Sequence, residues 1–271
     1  MKIILQGRGD FDEWRDATRE LLRHGVPPGE VDWGGGAGCL DGLFDDQTAQ
    51  RLPLNRPVTV PAAFVDLAEA VICHSDSSRF ALAYRLLWRL QTERSLLGMA
   101  TDADVVRARR LAHAVHRDSH KMTAFVRFRE VPARGTRRAF AAWFEPDHYI
   151  VARMAPFFQR RFNDMDWAIL TPRGTASWDG GALRFYPEPA DKPGFGDDTE
   201  DLWRVYFANI FNPARLKVKM MLTEMPRRYW KNLPEAEIIP GLVHSAEARL
   251  RDMAAQSPGP PPKFHERLQQ R

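Results

Sequence analysis

The chain has 271 residues, of which 44% are hydrophobic and 27% are charged, and its formal net charge is +4. This composition is typical of a globular protein and excludes a disordered or fibrous chain. No apolar run reaches the roughly 18 residues of a membrane span, and the N-terminus becomes polar too early for a secretion signal, so we expect a cytoplasmic protein.

The N-terminal residues predict a strand followed by a helix. The sequence KIILQ favours a short strand, and Asp10 is placed to cap a helix that begins near Phe11. Between them, QGRGDF has the setting of a phosphate-binding loop but lacks the third glycine of GxGxxG. We therefore predict that this loop and the later GGGAG loop are turns.

Helices are predicted from Pro61 to about residue 120. The second of them carries a core stripe at helical spacing, formed by Phe80, Tyr84, Leu87 and Trp88. A third begins with Thr101 as its cap. Near Lys121 the pattern changes to alternation, which predicts an antiparallel hairpin of residues 123–130 and 138–145 around Gly135.

The remaining pattern completes an α+β fold. A helix through YIVARMAPFFQRRF is followed by three short strands in DWAILTP, TASWDG and ALRFYP, and two more helices are predicted near residues 202–210 and 245–255. We expect a mainly antiparallel sheet from about residues 123–186, surrounded by helices. Residues 1–255 are predicted to form one globular domain, with residues 1–60 as its N-terminal part, and residues 256–271 a disordered tail or linker.

No cofactor and no metal are predicted. Cys39 and Cys73 are the only cysteines, which excludes a disulfide framework, a four-thiolate zinc site and a cysteine-bound iron–sulfur cluster. His113, His116 and His120 share a helical spacing that a metal site can use. The neighbouring Arg117 and Lys121 disfavour a bound cation.

A second histidine cluster is a candidate for acid–base chemistry. If the predicted hairpin forms, His120 precedes its first strand and His148 follows its second, so both lie beyond the same end. Glu145 lies near that end, and the three residues form a candidate catalytic cluster. The alternative is a polar strand end held by hydrogen bonds.

Positive charge and aromatic residues are concentrated near the C-terminal end of the predicted domain. Residues 201–233 contain seven basic and two acidic residues. Cations can neutralise phosphates while aromatic rings stack on bases. The candidate nucleic-acid contacts are Arg215, Lys217, Lys219, Arg227, Arg228, Tyr229, Trp230 and Lys231. The alternative is a basic surface that a tryptophan anchors to the core.

Several segments carry a family resemblance. HKMTAFVRF, AWFEPDHYIV, APFFQRRFNDMDWAILTP, ASWDG, IFNPARLKVKMM and MPRRYWKNLPEA together resemble a bacterial family of DNA metabolism or DNA repair proteins, a domain of unknown function, over roughly residues 60–255. In that family the domain stands alone beside a radical-SAM protein, or precedes a uracil-DNA glycosylase-like domain. No glycosylase motif follows here, so the resemblance implies the stand-alone form or the N-terminal part of a fusion.

Two hypotheses about function follow. The first is a DNA-binding accessory module in DNA repair or base modification, without catalysis of its own, acting with a radical-SAM or uracil-DNA glycosylase-like partner. The alternative is an enzyme that acts on nucleic acid or a nucleotide through the cluster of His120, Glu145 and His148. A protein–protein adaptor with a basic docking face is a third possibility.

Overall fold

A computed structural model of the protein describes residues 1–34, 58–132, 137–192, 221 and 223–245. The chain divides into two compact units, residues 1–194 and residues 195–271. The extent of a single domain over residues 1–255 stays a prediction, and the tail at residues 256–271 lies outside the described residues.

The first unit begins with two short parallel strands joined through a helix. Strand β1 (Lys2–Ile4) pairs with β2 (Asp32–Gly34), and α1 (Phe11–Arg23) lies between them in the chain. The carboxylate of Asp10 accepts hydrogen bonds from the backbone N–H groups at the start of α1, at 2.9 and 3.1 Å. The predicted cap is therefore confirmed, because it satisfies N–H groups that have no partner within the helix.

Three further helices form a layer in this unit, α2 (Ala62–Ile72), α3 (Arg79–Arg89) and α4 (Ala103–Phe125). The predicted core stripe on α3 is confirmed for Phe80, Tyr84 and Leu87, which are buried. The Tyr84 hydroxyl donates to the carbonyl of Val26 at 2.6 Å. The one polar atom of this buried ring is thus hydrogen-bonded, as a buried phenol requires.

Helix α4 differs from its prediction at both ends. Its cap is Asp102 rather than Thr101, since the Asp102 carboxylate accepts from the first N–H groups of the helix at 3.0 and 3.1 Å. It also continues to Phe125, because Met122 and Phe125 extend its buried face at helical spacing. No described helix, α4 included, is long and apolar enough to cross a membrane.

The five-stranded sheet has the strand order β3-β4-β5-β6-β7. The strands are β3 (Arg129–Val131), β4 (Ala139–Trp143), β5 (Asp166–Thr171), β6 (Gly174–Trp178) and β7 (Leu183–Tyr186). The predicted hairpin is β3 with β4, although residues 123–125 belong to α4 and the loop at residues 133–136 lies outside the described residues.

The sheet is mixed, with three antiparallel pairs and one parallel pair, β4 with β5. The α+β fold and the mainly antiparallel sheet are confirmed, and the parallel pair is the feature that the pattern did not predict. It arises because α5 (Val151–Arg161) returns the chain to the end of the sheet at which β4 began. This crossover fixes the position of the residues between β4 and α5.

The second unit is described mainly over residues 223–245. Within residues 225–245 it contains two short helices, α6 (Arg227–Trp230) and α7 (Ile239–His244), with a 3₁₀ turn over Pro234–Glu237 between them. Tyr229, Leu233 and Ile239 are buried. The helices predicted near residues 202–210 and 245–255 lie outside the described residues.

Candidate functional site

The candidate nucleic-acid segment forms α6 and the residue that follows it, residues 227–231, here called the RRYWK segment. Pro226 precedes the helix, and Arg227, Arg228 and Lys231 are exposed to solvent. Tyr229 is only 2% exposed. One turn of helix thus presents cationic side chains outward and one aromatic ring inward.

Each aromatic ring of this segment has an arginine beside it. The Arg228 guanidinium carbon lies 4.7 Å from the centroid of Tyr229, and its Nη2 donates to the Tyr229 hydroxyl at 2.7 Å. The Arg227 guanidinium carbon lies 5.9 Å from the Trp230 ring. The Trp230 indole N–H donates to the carbonyl of Met225 at 2.9 Å. These contacts orient the two guanidinium groups and the half-buried indole.

Three of the predicted nucleic-acid contacts, Arg215, Lys217 and Lys219, lie outside the described residues. The geometry of the candidate interface therefore rests on the RRYWK segment.

His148 lies in a compact polar cluster with His74, Ser75 and Asp118. The two imidazole rings are 4.1 Å apart between centroids. The Ser75 hydroxyl lies 3.1 Å from Nδ1 of His148, and the backbone N–H of His148 donates to the Asp118 carboxylate at 2.9 Å. Burial lowers the pKa of His74. A hydroxyl beside an imidazole nitrogen is an arrangement that general-base chemistry can use.

Of the predicted cluster of His120, Glu145 and His148, His148 is buried, Glu145 is half-buried and His120 is exposed. Asp118 and His120 are two residues apart on α4, which places their side chains about 200° apart around the helix. Asp118 is buried towards His148, and His120 is exposed. The Glu145 carboxylate accepts from the indole N–H of Trp143 at 2.9 Å. The ring of His74, which was not selected from the sequence, lies beside that of His148, and the cluster of His120, Glu145 and His148 stays a prediction.

The histidines of α4 at positions 113, 116 and 120 are not part of a metal-ligand cluster within the described residues. Within residues 1–34, 58–132, 137–192 and 223–245, no three His, Cys, Asp or Glu side chains converge as metal ligands. Burial, Arg153 and His113 lower the pKa of His116. A nearby guanidinium disfavours a bound cation for the same electrostatic reason.

A cavity of about 820 Å³ lies in the first unit, between the β1–α1 loop, α5 and the β5–β6 turn. These elements contribute one arginine each, Arg8, Arg153 and Arg173. Tyr149 lies among them, with its centroid 6.0 Å from the Arg8 guanidinium carbon and 4.8 Å from that of Arg173. We call this site the Tyr149 cavity.

Buried Arg79 holds the wall of the Tyr149 cavity in place. Its guanidinium donates to the carbonyls of Ile72 and Arg8 at 2.9 and 2.7 Å, which ties the β1–α1 loop to the end of α2. The backbone N–H of Tyr149 donates to the carbonyl of Cys73 at 2.8 Å. The loop before α5 and the loop before α1 are therefore fixed to the same helix end.

The Tyr149 cavity was not predicted from the sequence. QGRGDF was interpreted as turns. Arg8 precedes Tyr149 by 141 positions, and Arg173 follows it by 24. The signal that existed was local: a strand, a glycine-containing loop and a capped helix in succession. That succession is typical of ligand-binding loops between a strand and a helix. It does not identify which residues from distant segments complete the site.

The fold and these sites define an α+β protein with a basic aromatic segment and an arginine-lined cavity. The model of the family DUF4130, a domain of unknown function, matches residues 77–235. The match covers more than half of the chain, so the chain belongs to this family, in agreement with the domain of unknown function expected from the sequence. No curated protein and no solved structure matches the chain.

Proposed function

We propose that the protein is a DNA-binding accessory module in DNA repair or base modification. The observation that carries the proposal is the RRYWK segment, whose exposed cations surround one buried and one half-buried aromatic ring. Exposed guanidinium and ammonium groups are the side chains that neutralise phosphates, and an accessible ring can stack on a base. The partner, a radical-SAM or uracil-DNA glycosylase-like protein, is implied by the sequence resemblance.

The proposal is tested by the affinity of the full chain for fluorescent single- and double-stranded DNA at several salt concentrations. The variant Arg227→Ala with Arg228→Ala is expected to bind more weakly to every sequence. Its slope of log affinity against log salt is expected to fall by about one unit for each lost phosphate contact.

A matched control is offered by Arg160 and Arg161, which are also adjacent, exposed and at the end of a helix. Replacing this pair with alanine removes the same charge from the first unit. If both double variants are folded and both bind with wild-type affinity and salt slope, the RRYWK segment is a solvated surface and the proposal is wrong.

The second candidate is an enzyme that acts on nucleic acid or a nucleotide. The specific observation in its favour is the Ser75 hydroxyl 3.1 Å from Nδ1 of His148, beside the ring of His74. His148→Ala is then expected to abolish product formation while leaving DNA affinity unchanged, and the exposed His113 provides the control, His113→Ala. A wild-type chain that releases no product from DNA, RNA or nucleotides contradicts this candidate.

A further inference from the structure

The Tyr149 cavity has the size and shape of a small-molecule site. Its volume of about 820 Å³ lies within the range that ligand pockets occupy. Apolar side chains form much of its wall, among them Phe11, Pro156 and Phe185. A ligand that fills it must therefore present an apolar or flat aromatic surface in addition to any charge.

Two arginines of this cavity remain outside the ion pairs of the described residues. Within the described part of the chain, neither Arg8 nor Arg173 forms an ion pair. Arg173 uses its Nε to donate to the carbonyl of Pro146 at 3.0 Å, which fixes the side chain, and its two terminal nitrogens make no hydrogen bond within the described residues. Both guanidinium groups lie beside the ring of Tyr149.

The four carboxylates that line the cavity are engaged elsewhere. Asp10 caps α1, and Glu13 accepts from two backbone N–H groups of the β1–α1 loop at 2.6 and 2.7 Å. Asp12 pairs with an arginine of α1, and Glu69 pairs with Arg153 at 3.3 Å. Asp10 and Glu13 keep their negative charge in these hydrogen bonds, so an anion is attracted only where the guanidinium groups of Arg8 and Arg173 are nearer to it than these carboxylates.

The N-terminus of α1 does not supply the anion site. Its first N–H groups are already bonded to the Asp10 carboxylate, whose negative charge repels a second anion. An anion in this cavity must lie on the side of Arg8 and Arg173. Guanidinium groups match phosphate oxygens in pairs of parallel hydrogen bonds, so two of them suit a doubly charged phosphate monoester.

We propose that the Tyr149 cavity binds a phosphate monoester attached to a flat aromatic group, as in a nucleoside monophosphate. Arg8 and Arg173 hold the phosphate, and the rings of Tyr149 and Phe185 line the space for the aromatic group. The same chemistry is present in a free nucleotide and in the terminal nucleotide of a 5′-phosphorylated strand. The inference is independent of the RRYWK segment and of its nucleic-acid proposal.

Calorimetric titration of the full chain with adenosine and uridine 5′-monophosphates tests the site. Binding of at least one nucleotide is expected, with at least a tenfold loss of affinity in Arg8→Gln and in Arg173→Gln. The corresponding nucleosides, which lack the phosphate, are expected not to bind. Arg8 is exposed and makes no side-chain hydrogen bond in the described residues, so Arg8→Gln tests the site even if Arg173→Gln fails to fold.

Arg160→Gln serves as the charge-matched control, because it removes an exposed arginine outside the cavity. It is expected to bind the nucleotide as the wild type does. A 5′-phosphorylated oligonucleotide and the same strand without the phosphate distinguish a strand end from a free nucleotide. The inference is wrong if no phosphate monoester binds, if nucleosides bind equally well, or if folded Arg8→Gln and Arg160→Gln have the same affinity.

Discussion

The imidazole rings of His74 and His148 lie face to face, with centroids 4.1 Å apart and planes inclined by 30°. Each ring accepts a backbone N–H at Nδ1, from Asp76 at 2.9 Å and from Ser75 at 3.3 Å respectively. Each of these hydrogen bonds requires that the accepting Nδ1 carries no proton. Protonating both would place two positive charges at ring-contact distance in a part-buried site.

We predict that the protein loses stability between pH 7 and pH 5, partly through His74. Burial lowers the pKa of His74 below its ordinary value of 6.5, so the unfolded chain takes up this proton more readily than the folded one. The contribution of neutral His74 to the free energy of unfolding is present above pH 6.5 and is lost as the pH falls below that value. Urea unfolding at pH 7, 6 and 5 measures it.

His74→Gln is expected to show a shallower loss of stability on acidification than the wild type. The exposed His120 gives the control, and His120→Gln is expected to follow the wild-type curve. Identical pH dependence in all three proteins would mean that His74 makes no contribution to acid sensitivity.

We predict that Gly9→Ala destabilises the first unit by about 1–3 kcal/mol. A β-carbon at position 9 would lie 2.6 Å from the carbonyl oxygen of Tyr149 and 2.9 Å from its β-carbon. The backbone of Tyr149 cannot move aside as the end of a flexible side chain can. The β1–α1 loop and the loop before α5 must therefore separate. Gly29→Ala is the control, because a β-carbon there meets nothing within 4 Å. Equal unfolding free energies for both variants and the wild type would contradict the close approach.

We predict that Cys73 resists iodoacetamide at pH 8 in the folded protein and reacts once the chain is unfolded. The residue is 3% exposed, and burial raises the pKa of its thiol to about 11. The reactive thiolate is therefore scarce as well as shielded. Cys39 lies outside the described residues. In the Cys39→Ser variant Cys73 is the only thiol, and mass spectrometry measures its labelling. Rapid labelling of the native variant would show that the thiol is accessible.

The regular part of the sheet was predictable because its pattern is local. In β5, Trp167 and Ile169 are buried, and the residues between and beside them are half-buried, which is the alternation of a strand. The cap at Asp10 was predictable for the same reason. Residues 123–125 also fit the alternating pattern of a strand. They are helical because Met122 and Phe125 are buried on the same face of α4.

The His74–His148 pair and the Tyr149 cavity could not be predicted, because their residues come from segments that are distant in the sequence. His74 and His148 are 74 positions apart, and Tyr149 lies far from Arg8 in the sequence. The crossover through α5 and the loop held by Arg79 bring these segments together. The RRYWK segment was found because its cations and rings are adjacent in the sequence, whereas a site assembled from separate elements depends on the tertiary fold.

We predict that the two aromatic residues of the RRYWK segment have different roles. Tyr229 is buried, so Tyr229→Ala is expected to lower stability by about 3–5 kcal/mol, while Tyr229→Phe keeps the ring and should retain DNA binding. Trp230 is half-buried, and Trp230→Ala is expected to weaken DNA binding by about 1–3 kcal/mol with little change in salt slope, because stacking releases no counterions. Thermal unfolding and DNA titrations on the same samples separate the effects. Wild-type affinity in folded Trp230→Ala would remove stacking from the proposed interface.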